Sequence, residues 1–169
     1  EARALNYVRL QSAARDTVVL RDEVSGETCA VRPQIVVNAT GAWAGVVAEL
    51  AGAVIDVVYS KGSLIVTHNR ITDRVVNRLR PSASADILVT GDTESIIGTT
   101  SIRIDSLDQI YTTVEDVAGM EGEAVKMIPA LETARYIRAY AGVRPLVGSK
   151  SAGEDRGISR SFALIDHSE

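Results

Sequence analysis

The punctuation of this chain constrains its fold more than any other feature. Short β-branched runs recur along it, and glycine-bearing turns separate them. Thr17-Val18-Val19-Leu20, then Ser25-Gly26, then Glu27-Thr28-Cys29-Ala30-Val31 predicts a hairpin. Asp86-Ile87-Leu88-Val89-Thr90, then Gly91-Asp92, then Ser95-Ile96-Ile97-Gly98-Thr99-Thr100 predicts a second. Residues 54–59 form a candidate strand and 62–67 another, with Ser60-Lys61-Gly62 between them. Tyr7-Val8-Arg9-Leu10 alternates weakly. Strands joined by short turns run antiparallel, because a parallel pair needs a long crossover.

Two helical patterns interrupt this. Gln34-Ile35-Val36-Val37-Asn38-Ala39-Thr40-Gly41 sets three apolar residues in a row after Pro33, which predicts a strand buried on both faces. It runs into a helix over 42–52 with Trp43, Val46, Val47 and Leu50 on one face and Gly52 as the stop. Free N–H groups at such a helix start favour an anion. The plain alternative is that Ala39-Thr40-Gly41 is only a tight turn. A second helix starts at Thr113, with Asp116 placed to reach back to it as a capping box. Val117, Met120, Ala124, Ile128 and Leu131 give it an apolar stripe, and Pro129 ends or kinks it. The expected fold is α+β: a mostly antiparallel sheet packed by helices, joined to an incomplete α/β piece before Gly52.

Next, residues 133–140 alternate and lead as a strand into Ala141-Gly142-Val143-Arg144-Pro145-Leu146. Arg144 carries a guanidinium that stays charged at any working pH and can fork two N–H bonds onto a carboxylate or phosphate. Residues 149–157 read as a surface loop and 161–165 as a last strand. The arginines of 69–85 (Arg70, Arg74, Arg78 and Arg80) read as a solvated face, and Asp105 and Asp108 as a solvated turn.

Composition removes several classes of function. A net charge of -4 argues against a nucleic-acid surface. A single cysteine, Cys29, allows no internal disulfide, and with only two histidines, His68 and His167, no metal site is expected. No phosphate-binding Gly-rich loop followed by Lys-Ser/Thr is present, and no Gly-x-Gly-x-x-Gly. The start, Glu1-Ala2-Arg3, reads as a piece of a longer protein. What remains is a pocket wall, made of Arg144, Lys61-Gly62 and Thr99-Thr100.

These residues carry a family resemblance. Val36-Val37-Asn38-Ala39-Thr40-Gly41-Ala42-Trp43-Ala44 resembles the segment at which the FAD domain resumes in flavoproteins of the D-amino-acid-oxidase type. Lys61-Gly62-Ser63, Ile97-Gly98-Thr99-Thr100-Ser101 and Tyr140-Ala141-Gly142-Val143-Arg144-Pro145-Leu146, in that order, resemble the FAD-dependent glycerol-3-phosphate dehydrogenases. Gly91-Asp92-Thr93 and Ser101-Ile102-Arg103-Ile104-Asp105 are most similar to the large subunit of the anaerobic, quinone-linked form. The resemblance covers nearly the whole chain.

It implies hydride transfer from sn-glycerol 3-phosphate to FAD, giving dihydroxyacetone phosphate, with electrons passed through partner subunits to a membrane quinone. It implies a cytoplasmic protein whose parent lies on the cytoplasmic face of the membrane. Arg144 falls on the family's substrate arginine; Ser63, Leu64 and Thr100 fall on the substrate wall. Leu64 stands where aerobic relatives have a histidine, so it can move no proton. Ala39, Thr40, Gly41 and Trp43 fall where the family passes close to FAD. Residues 1–52 are then a remnant of the FAD-binding domain and 53–169 the substrate-binding domain, and the isolated fragment is expected to bind FAD weakly and to be inactive. Two other readings stay open. In a flavin-dependent amino-acid oxidase relative, Arg144 would hold a carboxylate. In a non-catalytic docking module, Arg74, Arg78 and Arg80 would meet another protein of the same complex.

Overall fold

The computed structural model describes residues 2–147 together with Ile158 and Leu164. They fall into two compact units that divide between Asp56 and Val57. The expected strand of 161–165 and loop of 149–157 lie outside the described residues, Leu164 apart.

The first unit holds an antiparallel sheet of β1 (Val8–Ala13), β2 (Val18–Asp22) and β3 (Thr28–Val31), in that order. The predicted hairpin is β2 with β3. Asp22 drives its turn: its carboxylate accepts the N–H groups of Val24 and Ser25, and Gly26 takes the positive φ of +78° that the reversal needs.

Two expectations fail in this unit. Residues 34–40 form no strand, and Ile35 and Val37 are each 81% exposed. A strand buried on both faces needs partners, and the three-stranded sheet supplies none to this run. The helix is shorter than 42–52: a 3-10 turn, Gly41–Trp43, leads into α1 (Ala44–Leu50). Its buried face is Ala42, Gly45 and Ala48, while Trp43, Val46 and Leu50 are exposed. The helix packs on β1, and small side chains allow that close approach.

The second unit is built on β4 (Val57–Thr67). One edge of β4 pairs along its length with β9 (Tyr136–Val147). The other edge pairs first with β8 (Ile102–Ile104) and further on with β7 (Ser95–Gly98). Beyond β7 lie β6 (Ile87–Thr90) and β5 (Val76–Asn77), all antiparallel. The two strands expected at 54–59 and 62–67 are therefore one. Ser60, Lys61 and Ser63 do not interrupt it, because each is buried and hydrogen-bonded.

One face of the sheet is covered by α2 (Val114–Met127), followed by a 3-10 turn, Pro129–Thr133. Thr113 and Asp116 form the predicted capping box. Met120, Ala124 and Leu131 from the predicted stripe are fully buried against Ile65, Leu88 and Ile97. A core of this kind stabilises by about 1.5–3 kcal/mol per large side chain. Arg78 and Arg80 are held by Asp86 and Glu123, at 2.7–3.0 Å in the closest pairs. That network ties the loop before β6 to α2 and occupies two of the arginines that a docking surface would present.

Candidate functional site

β4 sorts its side chains alternately to two faces. Odd-numbered residues point to α2. Lys61 Nζ lies 2.8 Å from Asp116 Oδ2 and 3.1 Å from the Tyr111 carbonyl oxygen, with its charge 5.8 Å from the Tyr111 ring. The Ser63 hydroxyl donates to the same Asp116 oxygen at 3.0 Å. Both side chains of the ion pair are only 7% exposed. Burial alone would push the Asp116 carboxyl up. Donation from Lys61, the Thr113 N–H and Ser63 overrides it and holds the group below its ordinary value.

Even-numbered residues point the other way, and there Arg144 lies. It sits on β9 directly opposite Ser60. Its side chain reaches across β4 over Gly62 and donates to Thr99 Oγ1 at 3.2 Å and to the Thr100 carbonyl oxygen at 3.5 Å. A Cβ on Gly62 would stand 2.7 and 2.8 Å from the two terminal guanidinium nitrogens, so the glycine makes the bed on which Arg144 rests. The linker between β7 and β8 is fastened to β4 beside it. The Ser63 N–H donates to Thr100 Oγ1 at 2.8 Å, and the Thr100 N–H points back to the Ser63 carbonyl at 3.4 Å. Ser60 Oγ and Ser101 Oγ are 2.9 Å apart. Leu64, across from Gly98 and Tyr140, extends this face with an apolar surface.

The structure therefore gathers Arg144, Thr100, Thr99 and Leu64 around Gly62. It turns the Ser63 hydroxyl to the opposite face, so Ser63 contributes its backbone here and not its side chain. Asp116 reads in sequence only as a cap; the signal that could have given its second role is a lysine in mid-strand, which burial obliges to find a carboxylate. Ser101 and Arg103 lie in strings that carry the family resemblance, but nothing in the sequence gives them or Ser60 a place on this face.

The remaining candidates, Ala39, Thr40, Gly41 and Trp43, belong to the first unit. Asn38 organises their turn: its side-chain oxygen accepts from the Thr40 hydroxyl at 2.7 Å and its amide donates to the Ala44 carbonyl at 2.9 Å. Gly41 has φ +58°, and its Cβ position meets nothing within 4 Å. Trp43 is half-exposed. An open glycine on exposed backbone fits a cofactor that approaches the main chain closely, and the turn adds no charge of its own. Among the described residues no cluster of His, Cys, Asp or Glu could hold a metal ion.

The chain is similar to several known proteins. The family model described as FAD dependent oxidoreductase matches residues 1–165. An anaerobic glycerol-3-phosphate dehydrogenase subunit from Escherichia coli K12 is 44% identical over 154 residues, which are 90% of this chain and 28% of that protein. The protein of the same name from Haemophilus influenzae is 47% identical over 137 residues, 80% of this chain and 24% of that protein. Among solved structures, the glycerol-3-phosphate dehydrogenase of Bacillus halodurans complexed with FAD superposes with a TM-score of 0.73 at 26% identity, over 85% of this chain and 32% of that one. The chain thus spans about a quarter to a third of the length of the proteins it matches.

Proposed function

The chain belongs to the family of FAD-dependent oxidoreductases, and from that premise we propose that it is the substrate-binding portion, with a remnant of the FAD-binding domain, of an enzyme that oxidises sn-glycerol 3-phosphate to dihydroxyacetone phosphate. The observation that carries the reading is the guanidinium of Arg144, held at Thr99 and Thr100 over a glycine on the face of β4 turned away from α2. It is supported by the likeness to proteins named as subunits of the anaerobic dehydrogenase.

In this reading Arg144 grips the phosphate as a fork, which binds the substrate and also sets where its C2 lies. Thr99 and the Thr100 carbonyl hold the guanidinium from behind. Leu64 keeps water from the reacting carbon and carries no proton. FAD supplies the hydride acceptor when bound, and Ala39, Thr40, Gly41 and Trp43 are the residues here that would hold it. The electrons would leave for a membrane quinone through partner subunits. No helix among the described residues is long and apolar enough to cross a membrane, and we assign the protein a peripheral place on the cytoplasmic face. The chain has no Gly-x-Gly-x-x-Gly, and by itself it binds FAD weakly and turns over nothing.

Steady-state kinetics of the full-length holoenzyme with a soluble electron acceptor tests this. Arg144→Ala is expected to raise KM for sn-glycerol 3-phosphate by about 100-fold and to lower kcat as well. Normal kinetics in that variant, or turnover of glycine in preference to the phosphate ester, removes the reading.

A further inference from the structure

The register of β4 puts a second guanidinium on the face that carries Arg144. Ser60 is paired on one side with Arg144 of β9 and on the other with Arg103 of β8. Residues directly opposite one another in antiparallel strands project to the same face, so Arg103, Ser60 and Arg144 form one row across three strands. At a strand spacing of about 4.8 Å, the two arginine Cα atoms are about 10 Å apart. The Arg144 head does not stay in its own row. It crosses β4 and comes to rest over Gly62 beside Thr99, on the side of the strand from which Arg103 rises. That point is two residues, about 7 Å, along β4 from the Arg103 row, within the span of an arginine side chain. In the same row, the Ser60 hydroxyl is 2.9 Å from that of Ser101. Arg103 is itself exposed.

We propose that Arg103 is a second phosphate-gripping residue, and that the pair Arg103 and Arg144 makes the site select a phosphate monoester dianion over a carboxylate. This rests on the reading of Arg144 given above and deepens it. A carboxylate has two oxygens and one charge, which a single guanidinium fork satisfies. A phosphate monoester has a third terminal oxygen and close to a second charge at neutral pH, and these remain for another donor. Arg103 supplies the second fork. The chemistry identifies the ligand class as a small polyol phosphate ester.

The test uses the full-length holoenzyme with three variants, Arg103→Gln, Arg103→Lys and Arg144→Gln. Three ligands are compared: sn-glycerol 3-phosphate as substrate, and inorganic phosphate and glycerate as competitive inhibitors. Arg103→Gln is expected to raise KM and the phosphate Ki by about 10- to 100-fold, with kcat and the glycerate Ki within about 3-fold. Arg144→Gln is expected to weaken all three ligands. An unchanged phosphate Ki in Arg103→Gln, alongside a raised one in Arg144→Gln, overturns the role of Arg103 and leaves the phosphate reading standing. Equal losses for phosphate and glycerate in Arg103→Gln overturn the selectivity claim. Unchanged binding in Arg144→Gln removes the reading beneath both. Should the glutamine variant fail to fold, Arg103→Lys decides, because it keeps the charge without the fork. It must raise the phosphate Ki by at least about 3-fold, and an unchanged value overturns the proposal.

Discussion

Replacing Gly62 by alanine adds one methyl group under the guanidinium of Arg144. Gly62 is not in the left-handed region of backbone space, so alanine is allowed there and would by itself stabilise the fold by about 0.4–1 kcal/mol through the unfolded chain. The new Cβ stands 2.6 Å from Thr99 Oγ1 and 2.7 and 2.8 Å from the two Arg144 nitrogens. Non-bonded contact begins near 3.5 Å, so the guanidinium and hydroxyl must withdraw by about 0.8 Å. The bonds from Arg144 to Thr99 and Thr100, at 3.2 and 3.5 Å, have no slack for such a shift. Everything that moves is the end of a side chain, so the strands stay paired. Folding stability is expected to change by no more than about 1 kcal/mol, a few degrees in Tm. Losing a charge-assisted contact to the ligand costs about 1.5–3 kcal/mol, or roughly 10- to 150-fold in affinity. Thermal melting of the full-length variant, with KM for sn-glycerol 3-phosphate and Ki for phosphate, reads both quantities. An alanine variant that binds normally would refute the bed-and-head reasoning. So would a Tm drop of more than about 10 °C, which would make Gly62 a requirement of the fold rather than of the arginine.

The ion pair on the other face makes a contrasting prediction. Lys61→Met leaves Asp116 buried without its cation and is expected to cost about 3–5 kcal/mol, while Lys61→Met with Asp116→Leu together recovers most of it, less about 1 kcal/mol for the lost cap; urea midpoints decide, and a double variant no better than the single counts against it. Thr113→Ala removes the acceptor for the Asp116 N–H and should cost about 1 kcal/mol, with faster hydrogen exchange in the first turn of α2. In the second unit, acid dependence follows from three depressed carboxyls. Burial pushes Asp116 and Asp86 up, but their donors hold both below the ordinary 3.8, and Lys126, Arg80 and Arg78 bring Glu123 from 4.5 to about 2. A depressed acid contributes stability that is present above its unfolded value and lost as pH falls through its folded one. The melting temperature should therefore be flat above about pH 5 and fall between about pH 4.5 and 2; a melt that rises on acidification contradicts the assignment.

Where partners lie a few residues apart, the chain is legible from sequence. The β2–β3 and β6–β7 hairpins follow from their turns, and the α2 cap and stripe follow from Thr113, Asp116 and helical spacing. The Arg144 string marks an arginine on a strand whose guanidinium can fork onto an anion, though not what holds it.

β4 shows the opposite case. It is buried on both faces, so polarity does not alternate along it, and Ser60-Lys61-Gly62 looks like a break. Its polar groups are satisfied from far away: Asp116 is 55 residues from Lys61 and 53 from Ser63, and Thr100 is 37 from Ser63. Pairing therefore decided that Ser63 serves α2 while Leu64 serves the opposite face, and that Arg103 shares a row with Arg144. The same limit applies in the first unit, where the sequence marks Ile35, Val37, Trp43 and Leu50 as core material and the fold leaves them outside. Composition and spacing determine which side chains want a partner, but only the three-dimensional packing decides which of them receives one.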